Sequence, residues 1–215
     1  MAPPERVDLR VSSCFPSLPV AEQGDEQSCL VHSFSAALHC LKTQSNLERF
    51  PASRVETVDF SRVFREALSV SPDRSRGTSF EDVAQSLLRV HARDLALLGW
   101  RIVYLQNSVE QCKRRLREGL PVVAGYQVNA HIDRFHTSAA VCREHGYLLP
   151  SFAEDPSAVS AHAVLILGFD DAFQSFLTRN SWGTEWGVDG HFLIRYKDLE
   201  DSAFFTDLMS FVAAK

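Results

Sequence analysis

A cysteine at the first turn of a helix, a histidine opening an apolar strand and an asparagine closing another are residue types that together perform thiol acyl chemistry. Cys29 ends the polar, glycine-containing run Glu22-Gln23-Gly24-Asp25-Glu26-Gln27-Ser28, and Ser28 is a suitable N-cap for the helical run that follows. The positive end of a helix dipole at that point stabilises a thiolate, the nucleophilic form of cysteine. Gln23 sits on the turn six residues earlier, where its side-chain amide can join the Cys29 backbone N–H in holding a developing oxyanion. His162 begins the apolar run Ala163–Gly168, and Asn180 follows the β-like run Ser175–Arg179. Two neighbouring antiparallel strands joined through Gly168-Phe169-Asp170-Asp171 would set His162 and Asn180 side by side. The asparagine oxygen then accepts from one imidazole nitrogen and leaves the other to face Cys29. Taken singly, Cys29 reads equally as a buried core thiol and His162 as a structural histidine; it is their combination that points to catalysis.

The stretch Asn180–Gly190 holds two of the three tryptophans and three of the ten glycines of the chain. Such a density is hard to explain by packing, and it suggests that the tryptophan rings shield something polar, for which Asn180 is the candidate. The elements that must position these groups fall into two halves. Helices are expected from Ser28 onward, with Leu30, Phe34, Ala36, Ala37, Leu38 and Leu41 at helical spacing; over Asp59–Val70; after Gly77, with Thr78 and Glu81 as a capping box before inward Val83, Ala84, Leu87 and Leu88; and from a cap at Ser108 to Glu118. Short β-branched or aromatic runs follow at Trp100–Leu105, Pro121–Val128, Ala161–Gly168, Ser175–Arg179 and His191–Tyr196. Helices first and strands later predict an α+β chain, one catalytic unit over 1–215 with a mainly helical lobe at about 20–98, a mainly β-rich lobe at about 99–215, and a substrate cleft between.

Composition narrows the function classes. With 45% hydrophobic and 23% charged residues the 215-residue chain is of the globular kind and long enough to bury a core. A net charge of −5 gives no footprint for nucleic acid or an anionic membrane. The basic group Lys113, Arg114, Arg115 and Arg117 is read as the solvated face of a short helix. Five cysteines without a C-x-x-C pair, Cys40 and Cys112 among them on apolar helix faces, argue against a disulfide framework and for a reducing compartment. The first residues have no basic region followed by an apolar core, so cytoplasmic residence is expected, with export lacking a cleaved signal as the alternative.

Gln23-Gly24 leading to Cys29, then His162-Ala163-Val164, then Asn180-Ser181-Trp182-Gly183-Thr184-Glu185-Trp186-Gly187, resembles the papain family of cysteine peptidases. His162 and Asn180 follow Cys29 by 133 and 151 residues, against roughly 130–150 in this family, which is itself the type example of that spacing. The resemblance runs from Val7-Asp8-Leu9-Arg10 to His191–Tyr196. It implies a papain-like two-lobe fold, Cys29 as nucleophile, Gln23 as oxyanion donor, His162 as general base and acid, Asn180 as its orienting partner and Trp182 as the supporting ring. It further implies a peptide or protein substrate lined by Gln27, Gly77, Thr78 and Ala161, with no metal and no organic cofactor.

The departures bear on specificity and control. Glu26 stands where extracellular members usually carry a bridging cysteine, Gln27 where glycine lets substrate approach, and Leu30 where tryptophan is usual. The pattern is closer to short bacterial members, and with 28 residues before Cys29, control by pro-segment removal is not expected. His131, His136, Cys142 and His145 match no common zinc spacing and are read as polar residues of a long loop, Ala130–Ser160, that covers the site or sets its specificity. Two other readings stay open at this level: an acyltransferase, amide ligase or deamidase using the same Cys-His-Asn set, and a catalytically silent domain that binds peptides or partners. Oligomeric state is not legible.

Overall fold

A computed structural model of the chain describes residues 4–11, 18–49, 58–71, 78–93, 95, 99–129 and 158–213. Gly77, His131, His136, Cys142, His145 and all but the last residues of the 130–160 loop lie outside the described residues. The first part is helical. Helix α1 spans Cys29–Arg49, α2 Phe60–Val70 and α3 Phe80–Val90. In α1, Val31, Phe34, Ala37, Leu38 and Leu41 are fully buried, spaced as a stripe along one helix face. A large apolar side chain removed from water in this way contributes roughly 1.5–3 kcal/mol.

Among the described residues seven strands form one antiparallel sheet: β1 Arg6–Asp8, β2 Trp100–Leu105, β3 Val122–Asn129, β4 Ala158–Asp170, β5 Ser175–Arg179, β6 His191–Arg195 and β7 Phe205–Ala213. Their order is β2-β7-β3-β4-β5-β6, with β1 beside the far end of β4. Helix α1 packs on β4 and β3, and α4, Val109–Arg117, packs near the same strands. Residues 162–169 of β4 are buried in succession, which is why this strand reads as a continuous apolar run rather than an alternating one. β1 reaches β4 because Gly168 has no side chain: a Cβ there would lie 2.3 Å from the carbonyl oxygen of Val7. Among the described residues no helix is long and apolar enough to cross a membrane.

The α+β class, the three early helices and the five expected strands are present, with three corrections, while β1 and β7 have no counterpart in the expectation. The cap of α3 is Ser79, not Thr78: Asp82 N–H donates to Ser79 Oγ at 3.1 Å and Ser79 N–H to Asp82 at 3.2 Å. Both registers carry a hydroxyl three residues before an acid. The Ser79 register places Phe80, Val83, Ala84 and Leu87 inward, and Leu88, expected inside, is exposed. The basic helix α4 is only partly solvated. Lys113 is 7% exposed, its ammonium 2.8 Å from Asp171 and seated over the rings of Phe169 and Tyr196. Arg117 pairs with Glu5 at 2.7 Å, so the cluster ties α4 to the edge where β1 joins the sheet. Finally, β6 ends at Arg195, because Tyr196 opens a single helical turn to Leu199.

Candidate active site

Cys29 is the first residue of α1, and Ser28 before it is buried. Burial pushes the Cys29 thiol above its ordinary range, opposed by backbone N–H groups of Ala163, Leu30 and Cys29 itself. The helix terminus alone therefore does not make a thiolate here; a cationic partner is needed. Cys112, buried with no such donors, is pushed up to about 12 and fits an inert core thiol, as does buried Cys40.

β4 carries the histidine and β5 leads into the asparagine. The two strands are antiparallel, with Leu165 opposite Arg179, so the next residue beyond β5 is brought alongside the start of β4. His162 Nε2 and Asn180 Oδ1 are 2.7 Å apart and buried. The Ser181 backbone N–H donates to the same Asn180 Oδ1 at 2.8 Å. A backbone N–H can only donate, so that atom is the amide oxygen and His162 Nε2 must carry the proton. Nδ1 is then the ring nitrogen left without that proton and able to accept one. Trp182 stacks on the imidazole at 4.3 Å between centroids, and Tyr126, the register partner of His162 on β3, meets it edge-on at 5.8 Å. Trp186 stands edge-on to Trp182 and Phe192, and buttresses the first ring from behind.

The segment that bears Asn180 is closed on itself. Asn180 N–H donates to Gly190 at 2.9 Å, and Gly187, at φ 62°, is so close to His191 that a Cβ would lie 2.4 Å from its carbonyl oxygen. The segment also holds the loop before Cys29. Gly183 N–H donates to Ala21, Gln23 N–H donates to Ser181 at 2.9 Å, and Ser181 Oγ donates to Gln23 Oε1 at 2.6 Å. With its oxygen engaged, the Gln23 amide presents its NH2 group, one hydrogen of which goes to the Glu26 carbonyl at 2.6 Å.

One cavity of about 960 Å³ is lined by Gln23, Gln27, Cys29, Thr78, Ala161, His162 and Trp182. All the described residues singled out from the sequence thus meet there, except Asn180, which is joined to it through His162. Leu30 lies in the wall and is buried, and Gln27 is exposed at the rim. The sequence did not point to Ser181, Tyr126 or the Phe80 ring, which lies over Gly125 in the same wall. The position of Tyr126 opposite His162 is a signal only once the strand register is known.

Comparison with known proteins gives a consistent family and fold. The family model described as papain family cysteine protease matches residues 99–206. An uncharacterized peptidase C1-like protein of Acanthamoeba polyphaga mimivirus is 29% identical over 104 residues, 48% of this chain. The match spans 31% of that curated relative's length. Among solved structures, xylellain, a cysteine protease from Xylella fastidiosa, superposes with TM-score 0.72 at 18% identity, covering 98% of this chain and 86% of its own. A Carica candamarcensis cysteine protease in complex with E-64 gives TM-score 0.63 at 16% identity over 99% of both chains. Digestive procathepsin L 3 of Tenebrio molitor gives 0.64 at 14%, covering 98% of this chain and 69% of its own. At these identities the structural likenesses speak to the fold, which is papain-like.

Proposed function

Because this chain belongs to the papain family of cysteine proteases, we propose that it is a cysteine-dependent peptidase acting on peptides or proteins, with residues 1–215 as one catalytic unit. His162 Nδ1 takes the proton of Cys29 Sγ, and the thiolate attacks the carbonyl carbon of the scissile peptide bond. A C–S bond forms as the carbonyl π pair moves to oxygen, where the Cys29 N–H and the second N–H of the Gln23 amide hold it. Collapse of that intermediate breaks the C–N bond, and the amine leaves with the proton from His162. His162 then takes a proton from water, whose oxygen displaces the Cys29 thiolate and releases the acid. Asn180 keeps the proton on Nε2 throughout, Trp182 keeps water from that bond, and Gln27, Gly77, Thr78 and Ala161 meet the substrate chain.

The observation that supports this reading most is the polarity of the His162–Asn180 bond, since the shared Ser181 N–H forces the tautomer that leaves Nδ1 for proton exchange. Work in a reducing compartment, the cytoplasm, suits the buried free thiols Cys40 and Cys112, with export lacking a cleaved signal as the alternative. The test is incubation with E-64 followed by mass spectrometry, together with turnover of a fluorogenic peptide amide. One adduct on Cys29, absent in His162→Ala, with turnover lost in Cys29→Ala, is the expected result. A folded protein that forms no adduct and turns over no peptide would overturn the reading and leave a binding role.

A further inference from the structure

A second cavity, of about 340 Å³, lies against α1 and β5 and shares no lining residue with the cleft. Arg179 enters it from the last position of β5 and is 7% exposed. Its guanidinium donates to the backbone carbonyls of Leu18, at 3.0 Å, and Pro19. These oxygens carry no net charge, and among the described residues no carboxylate lines the cavity or pairs with Arg179. A buried cation without a counter-charge is costly, and here burial lowers the Arg179 value to about 10, which still leaves it charged at neutral pH.

Some of the other polar groups of the cavity also want an acceptor, although Ser181 gives its hydroxyl proton to Gln23. His32, stacked on Phe60 at 4.2 Å, is held near 4 by burial and by the Arg179 charge, and is neutral at pH 7. His39 is lowered by burial and by the nearby charges of Lys42 and Arg179. Ser35 Oγ, His39 Nε2 and Asn180 Nδ2 are buried with no hydrogen-bond partner among the described residues, and all three residues line the cavity. A hydroxyl, an imidazole N–H and an amide NH2 can each donate, so the site offers one full positive charge and three donors. Much of the remaining wall is apolar, from Val58, Phe60, Ala36 and Leu165, with Ser33 and Ser181 also lining it. For scale, a dry cavity of about 150 Å³ holds one benzene.

We propose that this cavity binds a small organic monocarboxylate, its anionic head on Arg179 and the Asn180 amide and its hydrocarbon body against Phe60 and Leu165. Asn180 would then hold the catalytic imidazole by its oxygen and the bound anion by its nitrogen. The site stands on its own lining and does not depend on the peptidase reading.

The test is calorimetric titration of the intact protein with 3-phenylpropionate and with the uncharged amide of the same shape. Binding of the acid at least tenfold tighter than the amide is expected. Arg179→Gln, which removes the charge, and Ala36→Leu, which fills the cavity from α1, should each weaken the acid at least tenfold. Ala36→Leu keeps the test alive if Arg179→Gln fails to fold. Equal binding of acid and amide, acid binding that survives in a folded variant, or no binding at millimolar acid would each overturn the site.

Discussion

Ser181 and Gln23, 158 residues apart, hold one another twice: the Ser181 hydroxyl donates to the Gln23 amide oxygen at 2.6 Å, and the Gln23 backbone N–H donates to the Ser181 carbonyl at 2.9 Å. The pair joins the proposed oxyanion donor to the residue after Asn180, so the two halves of the candidate site share one fixed frame. Removal of an oxyanion donor costs about 10²–10³ in kcat, which is expected for Gln23→Ala. Ser181→Ala leaves the donor in place but frees its rotation, and should lower kcat about three- to tenfold with KM little changed. Steady-state kinetics on a peptide amide checks both; an unaltered kcat in Ser181→Ala would mean that the Glu26 carbonyl alone sets the amide.

The Cys29 thiol is raised by burial, so in His162→Ala a thiolate forms only as pH climbs through that elevated value. Alkylation by iodoacetamide at pH 7 should then be at least tenfold slower than in the parent, and should increase steadily into the alkaline range. In the parent, the proposed proton transfer to the imidazole should move reactivity to lower pH. Coincident rate–pH curves for the two proteins would show that no ion pair forms.

His191 is buried, donates from Nδ1 to the Asp189 carbonyl at 2.7 Å, and is lowered to about 4, chiefly by burial. Its ordinary value is about 6.5, so between these values the unfolded chain binds a proton that the folded chain refuses. The stability it contributes is complete above about pH 6.5 and is lost as pH falls toward 4; His32 acts in the same direction. His191→Asn keeps a donor without a titrating group. Urea unfolding at pH 7 and pH 4.5 should show that variant losing on the order of 1–2 kcal/mol less than the parent across the window. A parallel loss in both proteins would rule out this source.

Gly187→Ala places a methyl against the His191 carbonyl at a backbone φ of 62°. The strained backbone alone costs about 1–3 kcal/mol, and because the obstacle is main chain it cannot turn aside. Thermal unfolding should show a fall in Tm of several degrees, with smaller losses for a substitution at exposed Thr184. Equal Tm values would show that the loop adapts.

The elements that carry chemistry were legible because each has a local signature. Ser28 caps a helix that starts at Cys29, and Asn180 ends a five-residue strand whose partner begins near His162. The α3 cap slipped by one residue because Thr78 and Ser79 offer the same local motif, and only burial of Phe80 separates them. Lys113 reads from the sequence as a surface cation, and nothing in the sequence singles out Arg179. Both are buried through contacts with segments far along the chain, Asp171 in one case and Leu18 with Pro19 in the other, and such contacts leave no periodic trace. Ser181 and Tyr126 escaped for the same reason, since their importance lies in what faces them across the sheet.

The pairing of β1 with the far end of β4, and of the Gln23 loop with residues 181–183, has a consequence for the order of events in synthesis. Helices α1 to α3 can form as they leave the ribosome, but the contacts that complete the site reach back across most of the chain and are late by topology. On the proposed peptidase reading, the thiol of Cys29 is made early and waits for the tryptophan-rich segment, a delay that would keep a nascent chain from acting on itself.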